Sequence, residues 1–285
     1  MRRRALLGAV LVAGSLLAGC GGDDGGEPVA LAIEATSSGD ETYSLGTPES
    51  IEAGLVRLEF TNSTQEDADV QLLRIEDGHT IEEALEIVSS EEGAPTPDWL
   101  KAAGGVGTTK AGETRQIEIV LEEGAYHAVD TGSSEGEDEQ NHAEKGGVAS
   151  FEVSGGDGDA ELPDADATIE MNEYSFVTEG LKAGTNRFVL RNAGDELHHT
   201  IAFALQEGAT IAQVREFFTS DGSGGGPPPL DFESFQSTAV LDAGGEQIDE
   251  FELEAGRYAF VCFVSDRAGG PPHVAKGMLR EVEVS

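Results

Sequence analysis

The chain of 285 residues contains the same pattern of motifs twice, and this repeat constrains its fold more than any other feature. In each copy an Ala-Gly pair leads into an apolar stretch that ends at Asn62 or Asn192. Each copy closes with a Gly-x-Tyr stretch followed, after a loop, by a His-x-x-Lys-Gly stretch. A pattern repeated in this way indicates one structural unit present in two copies. We therefore predict two domains, residues 30–153 and 167–285, joined by a Gly- and Asp-rich linker over 154–166.

Short apolar stretches alternate with Gly-rich turns in both copies, which is typical of β-sandwiches. Each copy also contains one helix start with a capping box, at Thr80 and at Thr210. We therefore predict an all-β protein made of two tandem Greek-key sandwiches, each with one short helix inserted between its strands. Two glycine-rich runs, 104–107 and 222–226, lack the strand-glycine-helix context of a nucleotide site, and we expect both to be loops.

The second copy carries an unusual set of metal-binding side chains near its C-terminus. Tyr258, Phe260 and Cys262 alternate along one predicted strand, so the thiol faces the same side as the two aromatic rings. His273 follows eleven residues after Cys262, and Met278 follows His273 by five. A thiolate, imidazoles and a weak axial thioether are the ligand set of type 1 copper.

A second imidazole is available from the adjacent pair His198 and His199. The spacing from Asn192 favours His198, whereas Ile201 and Phe203 share their strand parity with His199. We expect His198 to be the ligand, with His199 orienting the surrounding loop. In the alternative assignment, His199 is the ligand.

These motifs resemble those of the cupredoxins, the plastocyanin-like blue copper proteins. The resemblance is carried by the stretches Gly256–Cys262, His273–Met278 and Asn192–Gly194. It covers residues 167–285 and implies a cupredoxin-like sandwich that holds one type 1 copper as its cofactor. The implied ligands are His198, Cys262, His273 and Met278. The loop between the cysteine and the second histidine is longer than in plastocyanin and nearer in length to that of copper nitrite reductases.

The first copy differs at the positions that align with this ligand set. They are occupied by Ala68, Asp69, Asp130, His142 and Gly147, so only a histidine is retained. Because a type 1 site needs the thiolate, we expect a degenerate domain without blue copper, which serves as a spacer or docking module. We interpret its acidic loop over 132–145 as a solvated surface loop.

The resemblance implies an electron carrier rather than an enzyme. Two-domain copper enzymes of this kind pass electrons through a histidine next to the cysteine, whereas Cys262 is flanked by Val261 and Phe263. The six histidines of the chain are also too scattered for a trinuclear copper cluster. We expect no catalytic residues. A copper chaperone or store, and a copper-free interaction protein, are the alternatives.

The N-terminus has the features of an export signal, with three arginines ahead of an apolar stretch. Its end, Leu-Leu-Ala-Gly-Cys20, resembles the lipobox of bacterial lipoproteins. That resemblance implies removal of residues 1–19, acylation of Cys20, a flexible tether over 20–29 and attachment to the extracytoplasmic face of the cell membrane. A signal peptide cut elsewhere is the alternative.

The formal net charge of −38 argues against nucleic acid as a partner, because such a chain is repelled by polyanions. Loss of residues 1–19 would take the charge to −41. We expect redox partner proteins, and this charge favours basic ones. Adaptation to a salty medium is the alternative explanation.

Overall fold

The computed structural model describes residues 27–39, 42–90, 93–133, 141–220 and 227–285. The predicted signal peptide, Cys20 and most of the tether lie outside the described residues. So do the glycine run 222–226 and most of the acidic loop, residues 134–140. No helix within the described ranges is long and apolar enough to cross a membrane.

Within the part of the chain that the structure describes, eight strands and one helix form the first sandwich. In chain order they are β1 (Val29–Ser37), β2 (Tyr43–Gly46), β3 (Ser50–Asn62), β4 (Ala68–Ile75), α1 (Ile81–Val88), β5 (Leu100–Thr109), β6 (Thr114–Leu121), β7 (Gly124–Val129) and β8 (Val148–Gly156).

The second sandwich repeats this plan element for element. Its elements are β9 (Ala167–Asn172), β10 (Ser175–Glu179), β11 (Gly184–Asn192), β12 (Ile201–Ala204), α2 (Ile211–Thr219), β13 (Gln236–Ser237), β14 (Glu246–Leu253), β15 (Gly256–Val261) and β16 (Leu279–Val284). The predicted fold class is confirmed: the described part of the chain is all-β, with two tandem Greek-key sandwiches that each contain one short helix.

Each sandwich has one sheet of order 2-1-3-6 and one of order 5-4-7-8, counted from its own first strand. In the first sandwich β3 pairs with strands of both sheets, because its start lies beside β8 and the rest lies between β1 and β6. The two sandwiches are joined through β6 and β14, which pair antiparallel at Ile119 and Glu118. One continuous sheet therefore crosses from the first sandwich into the second.

The burial pattern of the strands explains where the cores lie. Tyr258 and Phe260 of β15, and Cys262 directly after it, face the core between the two sheets, as the strand parity predicted. Ala259 and Val261 face the opposite side, where α2 and the loop before β13 cover them with a second apolar cluster. The strand that leads to Cys262 is therefore buried on both faces.

Both helices begin as predicted. Thr80 and Thr210 accept a hydrogen bond from the third helical residue, and that residue's side chain bonds back to the threonine backbone. Ala84 of α1 and Val214 of α2 are fully buried, and further apolar residues of each helix are partly buried against the same clusters.

The prediction of a loop at residues 104–107 is wrong, because these glycines lie inside β5. A Cβ at Gly105 would lie 2.0 Å from the backbone oxygen of Val70, and one at Gly107 would lie 2.0 Å from that of Ser237. The glycines are needed because β5 is pressed between β4 and the second sandwich. Strand β8 also reaches Gly156, so it overlaps the start of the predicted linker.

Candidate metal centre

Three of the predicted ligands meet at one end of the second sandwich. His198 Nδ1 lies 3.9 Å from Cys262 Sγ, and His273 Nδ1 lies 3.6 Å from the same sulfur. The two Nδ1 atoms are 3.0 Å apart. All three residues are buried, and they form the one cluster of three or more His, Cys, Asp or Glu ligand atoms found within the described residues.

The size of this triangle suits a transition metal. A circle through three atoms separated by 3.9, 3.6 and 3.0 Å has a radius of about 2.1 Å. Bonds from first-row metals to imidazole nitrogen and thiolate sulfur are about 2.0 to 2.3 Å long. One ion can therefore contact all three atoms without a large rearrangement, and the soft thiolate suits copper or zinc.

The protonation states of the metal-free site follow from its burial. Burial, together with the charge of His273, lowers the pKa of His198 to about 4. Burial also lowers the pKa of His273, against the opposing effect of Asp266. Both imidazoles are therefore neutral at pH 7 and present lone pairs for a cation. Burial raises the pKa of the Cys262 thiol to about 12, so metal binding must displace its proton.

A buried asparagine fixes the backbone ahead of His198. Asn192 Nδ2 donates to the carbonyl oxygens of Glu196 (2.7 Å) and Leu241 (2.9 Å). His198 in turn exchanges both backbone hydrogen bonds with Leu241. A Cβ at Gly194 would lie 3.1 Å from His198 Nε2, so a glycine there allows the turn to approach the ring.

His273 is oriented by a carboxylate in the loop before it. Its Nε2 lies 3.0 Å from Asp266 Oδ1, which also accepts a hydrogen bond from the Tyr174 hydroxyl at 3.0 Å. Lys276 contacts the other oxygen of Asp266. A carboxylate at Nε2 holds the proton on that nitrogen and leaves Nδ1 free to bind a metal.

Tyr174 adopts a left-handed backbone conformation, with φ at 57° in the turn between β9 and β10. Among the described residues it is the one non-glycine with a positive φ, which is uncommon for an aromatic residue. Its ring packs edge-on against His273, with ring centroids 5.2 Å apart. The unusual turn conformation thus accompanies a direct contact with a candidate ligand.

His199 points away from the cluster. Its Nε2 accepts the backbone N–H of Phe263, the residue after Cys262, at 3.0 Å. The structure therefore brings His198 to the thiol and places His199 where it supports the backbone next to the cysteine. Met278 is buried in the same core cluster as Cys262, and its backbone N–H donates to the carbonyl oxygen of His273 at 2.9 Å.

The sequence reasoning missed Asp266 and Tyr174 as parts of the site. Asp266 lies within the loop that separates Cys262 from His273, and a carboxylate so close to a candidate ligand was a usable signal. Tyr174 comes from a different hairpin, and its approach to His273 depends on packing that no local pattern records.

The chain shows no match to any family model or to any curated protein. Among solved structures, auracyanin B is similar over 41% of this chain and 86% of its own, with 20% identity and a TM-score of 0.28. Auracyanin A, a blue copper protein from Chloroflexus aurantiacus, is similar over 44% of this chain and 99% of its own, with 18% identity and a TM-score of 0.30. A multicopper oxidase is similar over 90% of this chain and 88% of its own, with 15% identity and a TM-score of 0.23. These similarities are weak, and the fold and the candidate site are defined by the chain's own strands and side chains.

Proposed function

We propose that the chain is a blue copper protein whose C-terminal sandwich carries one electron at a time between partner proteins. The observation that carries the proposal is the buried cluster of His198 Nδ1, Cys262 Sγ and His273 Nδ1. Met278, buried in the same core, is proposed as the weak axial ligand. Copper bound by this set would supply the reversible one-electron chemistry.

The surrounding residues suit such a carrier because they hold the ligands in place. Asn192 and Leu241 fix the backbone at His198, and Asp266 fixes the ring of His273. Ligands held by packing and hydrogen bonds move little when the charge at the site changes. A small rearrangement is what rapid electron exchange requires.

An electron carrier is favoured over an oxidase by the residues beside Cys262. The neighbouring positions are Val261, buried under α2, and Phe263, whose ring packs on Phe218 at a centroid distance of 5.0 Å. Neither side chain can bind a second metal.

The charge close to the site favours a basic redox partner. The carboxylates of Glu173 and Asp195 are exposed beside the turn that precedes His198, and Asp266 lies beside His273. Opposite charges at such a surface accelerate encounter, and salt weakens the effect. If the partner is basic, the rate of electron transfer should fall as ionic strength rises.

The proposal is tested by expressing the chain from residue 20 onward, without the export signal, loading it with Cu(II) and recording its visible spectrum. We expect an intense thiolate-to-copper charge-transfer band and a reversible one-electron potential. The Cys262→Ser variant should lose the band, whereas Cys20→Ser should keep it. Absence of the band in the wild-type protein, or its survival in Cys262→Ser, would overturn the copper assignment.

We further propose that Cys20 carries a lipid that anchors the protein to the extracytoplasmic face of the membrane. Support comes from the Leu-Leu-Ala-Gly-Cys20 motif after an apolar stretch. More than one acyl chain is needed for stable anchoring. The full chain expressed in a bacterial host should sediment with membranes, and Cys20→Ala should release it. A wild-type mature protein that begins elsewhere than at Cys20 would contradict this.

A further inference from the structure

The first sandwich touches the loop that carries His273. The Thr96 N–H donates to the carbonyl oxygen of Arg267 at 2.9 Å, and the Gly270 N–H donates to that of Gly93 at 3.0 Å. These two backbone hydrogen bonds join loops from different sandwiches. The segment between Cys262 and His273 is therefore fixed partly by the other domain.

Arg267 strengthens this contact. Its Nη1 donates to the carbonyl oxygens of Pro97 (3.0 Å) and Leu100 (3.2 Å), both in the first sandwich. Its Nη2 forms an ion pair with Asp242 at 2.5 Å, and the side chain is only 14% exposed. Arg267 directly follows Asp266, the carboxylate that orients His273. Holding Arg267 therefore restrains the group that positions this ring.

The same part of the first sandwich also supports the backbone at His198. Leu241 forms one antiparallel bridge with Ala103 of β5 and another with His198. The next residue, Asp242, donates its N–H to the carbonyl oxygen of Ala102 at 2.9 Å. The segment at Leu241 and Asp242 thus contacts the first sandwich on one side and the backbone of His198 on the other.

We propose that residues 93–104 of the first sandwich act as a clamp that positions both His198 and His273. The metal geometry of the second sandwich then depends on a domain that lacks the thiolate itself. This inference rests on the proposed function, because it concerns the geometry of a bound metal. It gives the first sandwich a role as part of the metal site rather than as a spacer.

A matched pair of glycine substitutions tests the clamp from within the first sandwich. Gly93 has φ at +82°, and a Cβ there would lie 2.6 Å from the backbone oxygen of Gly270. Gly78 has φ at +97°, and no heavy atom lies within 4 Å of its added Cβ. Gly93→Ala and Gly78→Ala therefore share the same type of backbone strain. Only Gly93→Ala pushes residues 93–104 away from the loop between Cys262 and His273.

In the presence of a chelator, we expect copper to leave Gly93→Ala about tenfold faster than it leaves the wild type. The reason is the loss of a hydrogen bond that supports the loop between Cys262 and His273. Its charge-transfer band and copper hyperfine splitting should also change. Gly78→Ala should match the wild type in all three measurements, even if both variants melt at a lower temperature. If the two variants release copper at the same rate and have the same band and hyperfine splitting, the proposed clamp is wrong.

A second pair of variants covers the case in which Gly93→Ala does not fold. Arg267→Lys keeps the charge but cannot hold both carbonyl oxygens, and it should change copper release in the same direction. Arg115 forms another ion pair between the two sandwiches, with Asp249, away from the loop between Cys262 and His273. Arg115→Lys should therefore leave copper release unchanged. If Arg267→Lys behaves like Arg115→Lys, the clamp is wrong. A wild-type protein without the charge-transfer band would instead overturn the proposed function itself.

Discussion

His142 Nδ1 lies 2.9 Å from Asp130 Oδ2 in the first sandwich, at the positions equivalent to His273 and Cys262 in the second. Burial lowers the pKa of His142, but the hydrogen bond and charge of Asp130 outweigh it and raise the pKa overall. Asp130 also accepts the backbone N–H groups of Asp69 (3.2 Å) and Gly132 (3.0 Å). The first sandwich thus has a buried histidine–carboxylate hydrogen bond at the end where the second brings its candidate metal ligands together.

The acidic group beside this pair should make stability depend on pH. Burial, reinforced by the charge of Asp130, raises the pKa of Asp69 from 3.8 to about 7. Between these values the native protein binds more protons than the unfolded chain. The free energy of unfolding that Asp69 contributes is therefore fully present below about pH 4 and is lost as pH rises to about 7.

Denaturant unfolding of the metal-free protein at several pH values tests this effect. One titrating group adds a slope of at most about 1.4 kcal/mol per pH unit. Asp69→Asn keeps an oxygen for the Thr131 N–H but cannot titrate, so the decline between pH 4 and 7 should be shallower in the variant. Parallel pH profiles for the two proteins would rule out the contribution of Asp69.

The two adjacent histidines should separate cleanly in a metal-binding experiment. His198→Leu removes a nitrogen from the ligand cluster and should abolish the charge-transfer band. His199→Asn keeps an acceptor for the Phe263 N–H and should retain the band. His199→Leu leaves that N–H without its partner and should cost about 1 to 3 kcal/mol of unfolding free energy, with the band still present. Loss of the band in both His199 variants, but not in His198→Leu, would reverse the assignment.

Asp69 and His199 illustrate what the internal repeat could predict. They occupy aligned positions, and both accept a backbone N–H, from Thr131 and Phe263 respectively. The repeat therefore predicted that both halves of the chain have the same fold and that each contains a helix beginning at the same point. Strand parity likewise predicted that Cys262 faces the core. These features depend on neighbours that are close in the chain, and the sequence records them directly.

The contacts between the sandwiches could not be predicted in the same way. The glycines of β5 look like a loop in the sequence, because nothing local indicates that the Ser237 backbone lies against Gly107. The approach of Arg267 to Pro97 joins parts of the chain that are far apart. Such contacts follow from how two completed sandwiches pack, which local patterns of polarity do not specify.

Asp266 should tune the reduction potential of bound copper. Its carboxylate accepts the Nε2 hydrogen of His273 and so stabilises the more positive metal state. Asp266→Asn should raise the potential by about 30 to 60 mV, where 59 mV corresponds to a tenfold change for one electron. Lys276→Gln removes the cation that contacts Asp266 and should shift the potential the other way. Protein-film voltammetry measures both shifts. Shifts of the same sign in the two variants would contradict this electrostatic role.

Gly107 should tolerate no side chain, because its backbone lies directly against that of Ser237 in the second sandwich. A Cβ there would lie 2.0 Å from the carbonyl oxygen of Ser237 and 2.4 Å from its carbonyl carbon. The neighbouring Thr108 N–H donates to Ser237 Oγ at 2.8 Å, so the strands cannot separate without losing this bond. We expect Gly107→Ala to lower the unfolding free energy by about 3 kcal/mol or more.

Gly158→Ala is the matched control, since no heavy atom lies within 4 Å of its added Cβ. It should change the unfolding free energy by less than about 0.5 kcal/mol. Chemical denaturation of both variants measures the difference, and equal stabilities would mean that the sandwiches are not packed this closely.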